Sequence, residues 1–145
     1  ATIIKNKSNW LLQHKTTNYL ENYLVRQQAL KLGYNDAYFL NDAGVITECS
    51  SSNVFIKRGN VLMTSPQQEG LLPGIIRNKI LQQQKILKYK IKEEKITSTM
   101  LEQAEGVFVC NSLIGLVGVN KIDNIIYQHD AELCNETNKL IGFVI

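Results

Sequence analysis

The sequence contains little of what marks a secreted, metal-binding or membrane protein. Its three cysteines, Cys49, Cys110 and Cys134, are odd in number and widely spaced, which excludes a disulfide framework and a CxxC metal pair. With two histidines in the chain, a zinc site is not expected. No apolar run reaches the roughly 18 to 20 residues of a membrane helix, and residues 1–10 lack the apolar stretch of a signal peptide. We therefore expect a cytoplasmic protein, without a metal or a membrane partner, whose cysteines are free thiols.

An excess of charge of one sign is also lacking. The 16 Lys+Arg and 13 Asp+Glu give a formal net charge of +3, and no basic block or stripe is present, so no nucleic-acid partner is predicted. Apolar residues make up 44% and charged residues 20% of the 145 residues, which is typical of one folded domain. The sequence starts at Ala1 without an initiator Met, so we expect a piece of a longer protein.

Hydrophobic spacing predicts a block of strands with helices inserted between them. Leu20, Leu24 and Ala29 recur at helical spacing, for example, and Ser98 is a suitable residue to cap a short helix. We predict helices over residues 18–32, 75–87, 98–104 and 130–140, a strand meander over 37–64 that turns at 41–44, an exposed strand over 89–96, a buried strand over 107–110 and a hairpin turn at 123–124. This order of elements predicts an α+β fold.

Four segments combine unusual residue choices with positions just outside strands or helices. Lys15 precedes the first helix, and T-E-C-S-S-S-N (47–53) interrupts the meander although strands disfavour a carboxylate followed by serines. G-L-L-P-G-I-I-R (70–77) opens the second helix, where free backbone N–H groups bind anions, and Asn111-Ser112 ends the buried strand. Taken singly, these segments also fit a solvated lysine, an exposed turn and ordinary loops.

Taken together and in this order, four motifs resemble the signatures of fold-type IV pyridoxal-phosphate enzymes, the class IV aminotransferase family. They are Lys15 with Asn18, T-E-C-S-S-S-N, L-P-G-I-I-R and C-N-S-L-I-G, within residues 14–119. The resemblance implies the C-terminal large domain of the D-amino-acid aminotransferase-like fold, an α+β domain of antiparallel strands in a pseudo-barrel surrounded by helices. It also implies that residues 1–145 form this C-terminal cofactor-binding domain without the family's N-terminal small domain, and that the protein is a homodimer.

The resemblance implies roles for six residues in binding pyridoxal 5'-phosphate. Lys15 matches the catalytic lysine, whose amine bonds to the cofactor and then transfers protons. Glu48 matches the acidic partner of the pyridine nitrogen, which lets the ring take up an electron pair. Leu72 matches the residue that packs against the ring. The phosphate is expected at the backbone N–H groups of Ile75 and Ile76 and at the hydroxyl of Ser112.

The sequence departs from the family pattern at two positions. Many aminotransferases have Thr where this chain has Ile76, which removes a hydroxyl but leaves the backbone donors in place. Gly118 stands where proline is common. The arginine that binds the phosphate in the family belongs to the N-terminal half, so no residue of this chain matches it.

Three features resemble 4-amino-4-deoxychorismate lyase more than a transaminase: Cys49 after Glu48, the bulky Ile76, and N-S-L-I-G at 111–115. They imply a lyase of folate biosynthesis that releases pyruvate from 4-amino-4-deoxychorismate and leaves 4-aminobenzoate. A branched-chain or D-amino-acid aminotransferase of the same fold is the alternative, because residues 48–55 are also close to the D-amino-acid enzymes. An inactive fragment or an interaction module is the second alternative.

Overall fold

The computed structural model describes residues 3–5 and 8–143. The predicted domain 1–145 thus includes residues 1–2, 6–7 and 144–145, which lie outside the described residues. The described residues form four α-helices: α1 (Leu20–Lys31), α2 (Ile75–Gln82), α3 (Ser98–Glu102) and α4 (Ala131–Leu140). They also form twelve strands: β1 (Ile3–Lys5), β2 (Tyr38–Asn41), β3 (Val45–Cys49), β4 (Asn53–Arg58), β5 (Val61–Thr64), β6 (Lys85–Ile86), β7 (Tyr89–Glu93), β8 (Ile96–Thr97), β9 (Gly106–Asn111), β10 (Gly115–Val119), β11 (Lys121–Ile122) and β12 (Ile125–Ile126). Short 3₁₀ helices cover Trp10–Gln13 and Gln67–Glu69.

Ten of these strands join one mainly antiparallel sheet. Its order is β1-β2-β3-β4-β5-β7-β6; β8 also pairs with β3, and β9 pairs with both β4 and β10. Strand β3 changes neighbour along its length, because Val45 and Ile46 lie opposite β8 whereas Glu48 lies opposite Asn53 of β4. A strand that changes neighbour in this way makes a corner in a sheet. The predicted α+β fold of antiparallel strands with helices is confirmed, and Glu48 lies at its β3–β4 corner.

Two hydrophobic cores lie on opposite faces of β4. Phe55 packs in one core with Ile80 of α2 and Leu133 of α4. Its neighbours Val54 and Ile56 pack in the other core, because successive side chains of a strand point to opposite faces. With both faces covered, β4 is the rigid centre of the sheet, and its first residue, Asn53, borders the corner that contains Glu48.

The predicted helix over 75–87 is wrong at its C-terminal end. Helix α2 ends at Gln82, and the chain then turns through Gln84, which has a left-handed φ of 58°. Lys85 and Ile86 form β6 and pair with Lys90 and Tyr89 of β7. No glycine or proline marks this stop in the sequence, because a glutamine adopts the conformation that glycine normally supplies.

Two further predictions in the next segment are wrong. The strand expected to be exposed over 89–96 is β7, which ends at Glu93, lies between β5 and β6, and buries Tyr89 and Ile91. The cap of α3 is Thr97, whose Oγ1 accepts the backbone N–H of Met100 at 3.2 Å, so Ser98 is the first helical residue. Strand β7 pairs with β5 and β6, and Thr97 pairs with Val45 of β3; local periodicity contains neither pairing.

The predicted first helix is present as α1, but only part of its apolar pattern is buried. Val25 and Ala29 pack inward, whereas Leu20, Tyr23 and Leu24 are exposed. Apolar spacing therefore predicted the helix correctly but not which of its apolar side chains are buried. Among the described helices, α1 included, none combines the length and the apolar character needed to span a bilayer.

Candidate active site

Glu48 is a buried carboxylate held from two sides. It is 7% exposed; its Oε2 accepts the backbone N–H of Leu72 at 3.0 Å, and its Oε1 lies 3.4 Å from Nζ of Lys5. Burial raises the pKa of the Glu48 carboxyl above its ordinary value, against the opposing effects of the Lys5 charge and the Leu72 N–H. The hydrogen bond from the Leu72 N–H brings two predicted site residues, Glu48 and Leu72, into direct contact.

The polar run after Glu48 is a buried turn rather than an exposed one. Ser50 and Ser52 are buried, and the backbone N–H of Cys49 donates to the carbonyl of Ser52 at 2.7 Å. Asn111 donates from Nδ2 to the carbonyl of Ser51 and to Oγ of Ser52, both at 3.1 Å. The end of β9 is thereby tied to the β3–β4 corner.

Asn111 also shapes the turn that contains Ser112. Its Oδ1 accepts the backbone N–H groups of Leu113 at 2.9 Å and Ile114 at 3.1 Å. Ser112 is exposed at this turn. Its hydroxyl therefore faces solvent beside the corner, where a ligand can reach it.

The start of α2 is fixed against β4 by Asn53 and Gly74. Nδ2 of Asn53 donates to the carbonyl of Leu72 at 2.8 Å, and a Cβ on Gly74 would lie 2.2 Å from Oδ1 of Asn53. Gly74 is the N-cap of α2 and has no capping side chain. The N–H groups of Ile75 and Ile76 therefore have neither a capping acceptor nor an intrahelical partner, which is the arrangement that binds anions.

Lys15 lies between the first 3₁₀ helix and α1 and is exposed. Its Nζ lies 5.9 Å from the ring centroid of Tyr19, and Tyr19 Oη donates to the carbonyl of Ser50 at 2.6 Å. Asn22 donates to the same carbonyl at 2.8 Å. The Lys15 segment is thus anchored two residues from Glu48, although Lys15 forms no ion pair with the residues in 3–5 and 8–143.

Sequence reasoning missed three residues that organise this site. Lys5, Asn22 and Asn53 contact Glu48, Ser50 and Leu72 respectively. The sequence does mark Asn53, because it is the last residue of the unusual polar segment 47–53. Lys5 and Asn22 are not marked in the sequence, because each looks like a surface residue until β1 pairs with β2 and α1 lies beside Ser50.

A cavity of about 490 Å³ lies apart from this site. It is lined by Val25, Ala29, Tyr34, Cys49 and Gly118, among others, and by none of the six predicted site residues. Cys49 follows Glu48 in β3, so its side chain points to the opposite face of the strand. Cys49, Cys110 and Cys134 are free thiols, as predicted. Within the described ranges, no three His, Cys, Asp or Glu side chains converge to hold a metal ion.

Comparison with known proteins identifies the family. The family model for amino-transferase class IV matches residues 1–122. The chain belongs to this family. The cofactor of class IV aminotransferases is pyridoxal phosphate, and the family fold inferred from the four motifs is confirmed.

Class IV relatives of this chain include transaminases and a protein named as a lyase. This chain is 32% identical over 126 residues to the D-alanine aminotransferase of Bacillus licheniformis, and the match covers 85% of this chain and 44% of that protein. It is 32% identical over 108 residues to the branched-chain-amino-acid aminotransferase of Salmonella typhimurium, covering 74% and 35%. The solved "putative 4-amino-4-deoxychorismate lyase" of Legionella pneumophila superposes with a TM-score of 0.87 and 33% identity, covering 97% of this chain and 54% of that one. The chain therefore spans about half the length of that structure and less than half the length of these two aminotransferases.

Proposed function

We propose that the chain is the cofactor-binding part of a pyridoxal-phosphate-dependent 4-amino-4-deoxychorismate lyase. One observation carries the proposal: Glu48 accepts the Leu72 N–H at 3.0 Å, and α2 begins three residues later with uncapped N–H groups. A carboxylate and an anion-binding helix start, joined by a short loop, fit a cofactor with a pyridine nitrogen and a phosphate. The 33% identity to the Legionella protein over nearly the whole chain favours the lyase.

Five residues would hold the cofactor around this loop, with Lys15 as the sixth. When bound, pyridoxal phosphate supplies a ring that takes up the electron pair released at the substrate carbon. Glu48 would hold a proton on the pyridine nitrogen, and Leu72 would pack against the ring. The N–H groups of Ile75 and Ile76 and the Ser112 hydroxyl would bind the phosphate, since backbone donors do not depend on the side chain at 76.

Lys15 is the proposed catalytic residue. Its Nζ would hold the cofactor before the substrate binds and would then accept the proton from the amine-bearing carbon of the substrate. In the lyase, loss of this proton together with the enolpyruvyl side chain converts 4-amino-4-deoxychorismate into 4-aminobenzoate and pyruvate. Lys15 is exposed in the described residues, so its amine is accessible to both the cofactor and the substrate.

A branched-chain or D-amino-acid aminotransferase is the second candidate. The 32% identity to a D-alanine aminotransferase over 85% of the chain favours it. In that reaction Lys15 would accept the same proton and give it back, and the product would be a keto acid. An inactive fragment or an interaction module is the third candidate.

The test of Lys15 is borohydride reduction of the full-length protein with pyridoxal phosphate, followed by peptide mass mapping. We expect a pyridoxyl group on Lys15, none at this position in Lys15→Ala, and wild-type labelling in Lys31→Ala, which removes an exposed lysine at the end of α1. Lys15→Ala should also lower turnover by at least about 10²-fold. Label scattered over other lysines would contradict the assignment.

Product analysis separates the candidates. Pyruvate formed from 4-amino-4-deoxychorismate without an amino donor supports the lyase, whereas keto acid formed only with an amino donor supports the aminotransferase. If the full-length protein forms neither product, the interaction module is the reading that is left.

We also propose that residues 1–145 act as the C-terminal domain of a cytoplasmic homodimer. The exposed side chains of Leu20, Tyr23 and Leu24 on α1 support an interface there. Sedimentation of the full-length protein tests this proposal.

A further inference from the structure

Lys5 is a buried lysine that the proposed mechanism does not use. It ends β1, pairs in register with Asn41 of β2, and is 4% exposed. Its Nζ lies 3.0 Å from Oδ1 of Asn22, 3.4 Å from Oε1 of Glu48 and 3.7 Å from the ring centroid of Phe39. A buried ammonium is strongly destabilising unless it is paired, and Glu48 is its counter-charge among the described residues.

The geometry also shows what Lys5 does to Glu48. Oε2 of the Glu48 carboxylate already accepts the Leu72 N–H. The Lys5 ammonium donates to Oε1, so both oxygens of the carboxylate are held in place. The charge of Glu48 in turn acts on Tyr19 and Cys49; burial raises the pKa of both, so both are neutral near pH 7. Lys5 is therefore the charged group that favours the ionised form of Glu48, against the effect of burial.

Building on the function proposed above, we propose that Lys5 is a positioning residue that keeps the Glu48 carboxylate ionised and fixed, so that the proton shared with the cofactor's pyridine nitrogen stays on the nitrogen. Two bases compete for that proton. A cation beside the carboxylate makes it the weaker base, and the protonated ring is the better electron sink. Without Lys5, the buried Glu48 takes the proton and the ring nitrogen becomes neutral.

The first test needs no cofactor. In the full-length apoprotein with ¹³C-labelled glutamate, assigned with Glu48→Gln, we expect Lys5→Met to raise the titration midpoint of Glu48 by about one unit or more. Lys5→Arg should restore the wild-type midpoint. The matched control is Lys57→Met, which breaks the partly buried ion pair to Asp130 elsewhere in the fold and should leave the Glu48 midpoint unchanged.

The second test uses pyridoxal phosphate labelled with ¹⁵N in the ring. We expect the ring nitrogen to give a pyridinium resonance in the wild type and in Lys5→Arg, and to move toward neutral pyridine in Lys5→Met. An unmoved Glu48 midpoint in Lys5→Met overturns the inference whatever the cofactor does. A wild-type protein that binds no pyridoxal phosphate overturns the proposed function instead. If Lys5→Met does not fold by circular dichroism, Lys5→Gln takes its place in both measurements.

Discussion

At the residue scale, the contact between Gly74 and Asn53 sets where α2 begins. The φ of Gly74 is −61°, which any residue adopts, so the requirement for glycine is steric: an added Cβ would meet Oδ1 of Asn53 at 2.2 Å. We expect Gly74→Ala to lower the free energy of unfolding by about 1–3 kcal/mol. Asn53→Ala should also destabilise, since it removes the donor to the Leu72 carbonyl.

The double variant makes this prediction specific. With Asn53→Ala present, Gly74→Ala should cost much less, because the clashing amide is gone; urea unfolding of the four proteins measures the coupling. Gly106→Ala is the control, since its Cβ would contact the Phe108 ring at 3.3 Å and needs a smaller adjustment. Additive effects of the two substitutions would show that Asn53 does not restrict position 74.

Single residues also mark the limit of prediction from the sequence. Glu48 and the serines after it were found because a polar run inside a strand block conflicts with strand preferences. Lys5 and Arg77 could not be found in this way. Arg77 is 2% exposed and donates to the Ser65 carbonyl at 2.7 Å and to Glu93 of β7, and these partners become neighbours only through the β5–β7 pairing.

At the element scale, α4 is held by one charged cap. Asp130 accepts the Leu133 N–H on Oδ1 at 3.0 Å, and its Oδ2 lies 2.6 Å from Nζ of Lys57 on β4. Burial alone would raise the pKa of Asp130, but the hydrogen bonds from Lys57 and Leu133 outweigh it and the pKa lies below its ordinary 3.8. The stability from this pair is therefore present above pH 3.8 and is lost as the pH falls through the lower folded-state pKa.

Two variants of Asp130 separate the charge from the cap. Asp130→Asn keeps an acceptor for Leu133 and loses the ion pair, so its deficit in unfolding free energy against wild type should be constant near neutral pH and shrink below pH 3.8. Asp130→Ala should lose about 1 kcal/mol more at every pH, because it also removes the cap. Urea unfolding between pH 3 and 8 measures both, and a pH-independent deficit in Asp130→Asn would contradict the ion-pair role.

Element ends depended on contacts that local patterns do not contain. The helix over 18–32 was predicted within two residues of α1, yet Leu20 and Leu24 of its apolar pattern are exposed and Ala29 is buried. The helix over 75–87 was predicted five residues too long, because β6 pairs with β7 where helical propensity would continue. Where periodicity and tertiary pairing agreed, as in β4 and β9, the predicted strands are confirmed.

At the scale of the whole molecule, the three thiols report on different parts of the packing. Cys110 and Cys134 lie in the core that contains Phe55, where burial raises the pKa of Cys110 to about 12 and that of Cys134 to about 11. Cys49 lines the cavity and packs at the edge of the other core, and burial raises its pKa as well. At pH 8 each native thiol is therefore protonated and slow to react, since the thiolate is the nucleophile.

This arrangement predicts an order of alkylation. With iodoacetamide at pH 8 and rising urea, Cys49 should react first, because opening the cavity beside α1 exposes it without separating the sheet from α2 and α4. Cys110 and Cys134 should react together at the global unfolding midpoint, since both belong to one core and one cooperative unit. Peptide mass mapping gives each rate, and the Cys49→Ser variant checks that early labelling belongs to that site. Early reaction of Cys134 without Cys110 would mean that α4 detaches on its own, and that the core on this face of β4 is two units rather than one.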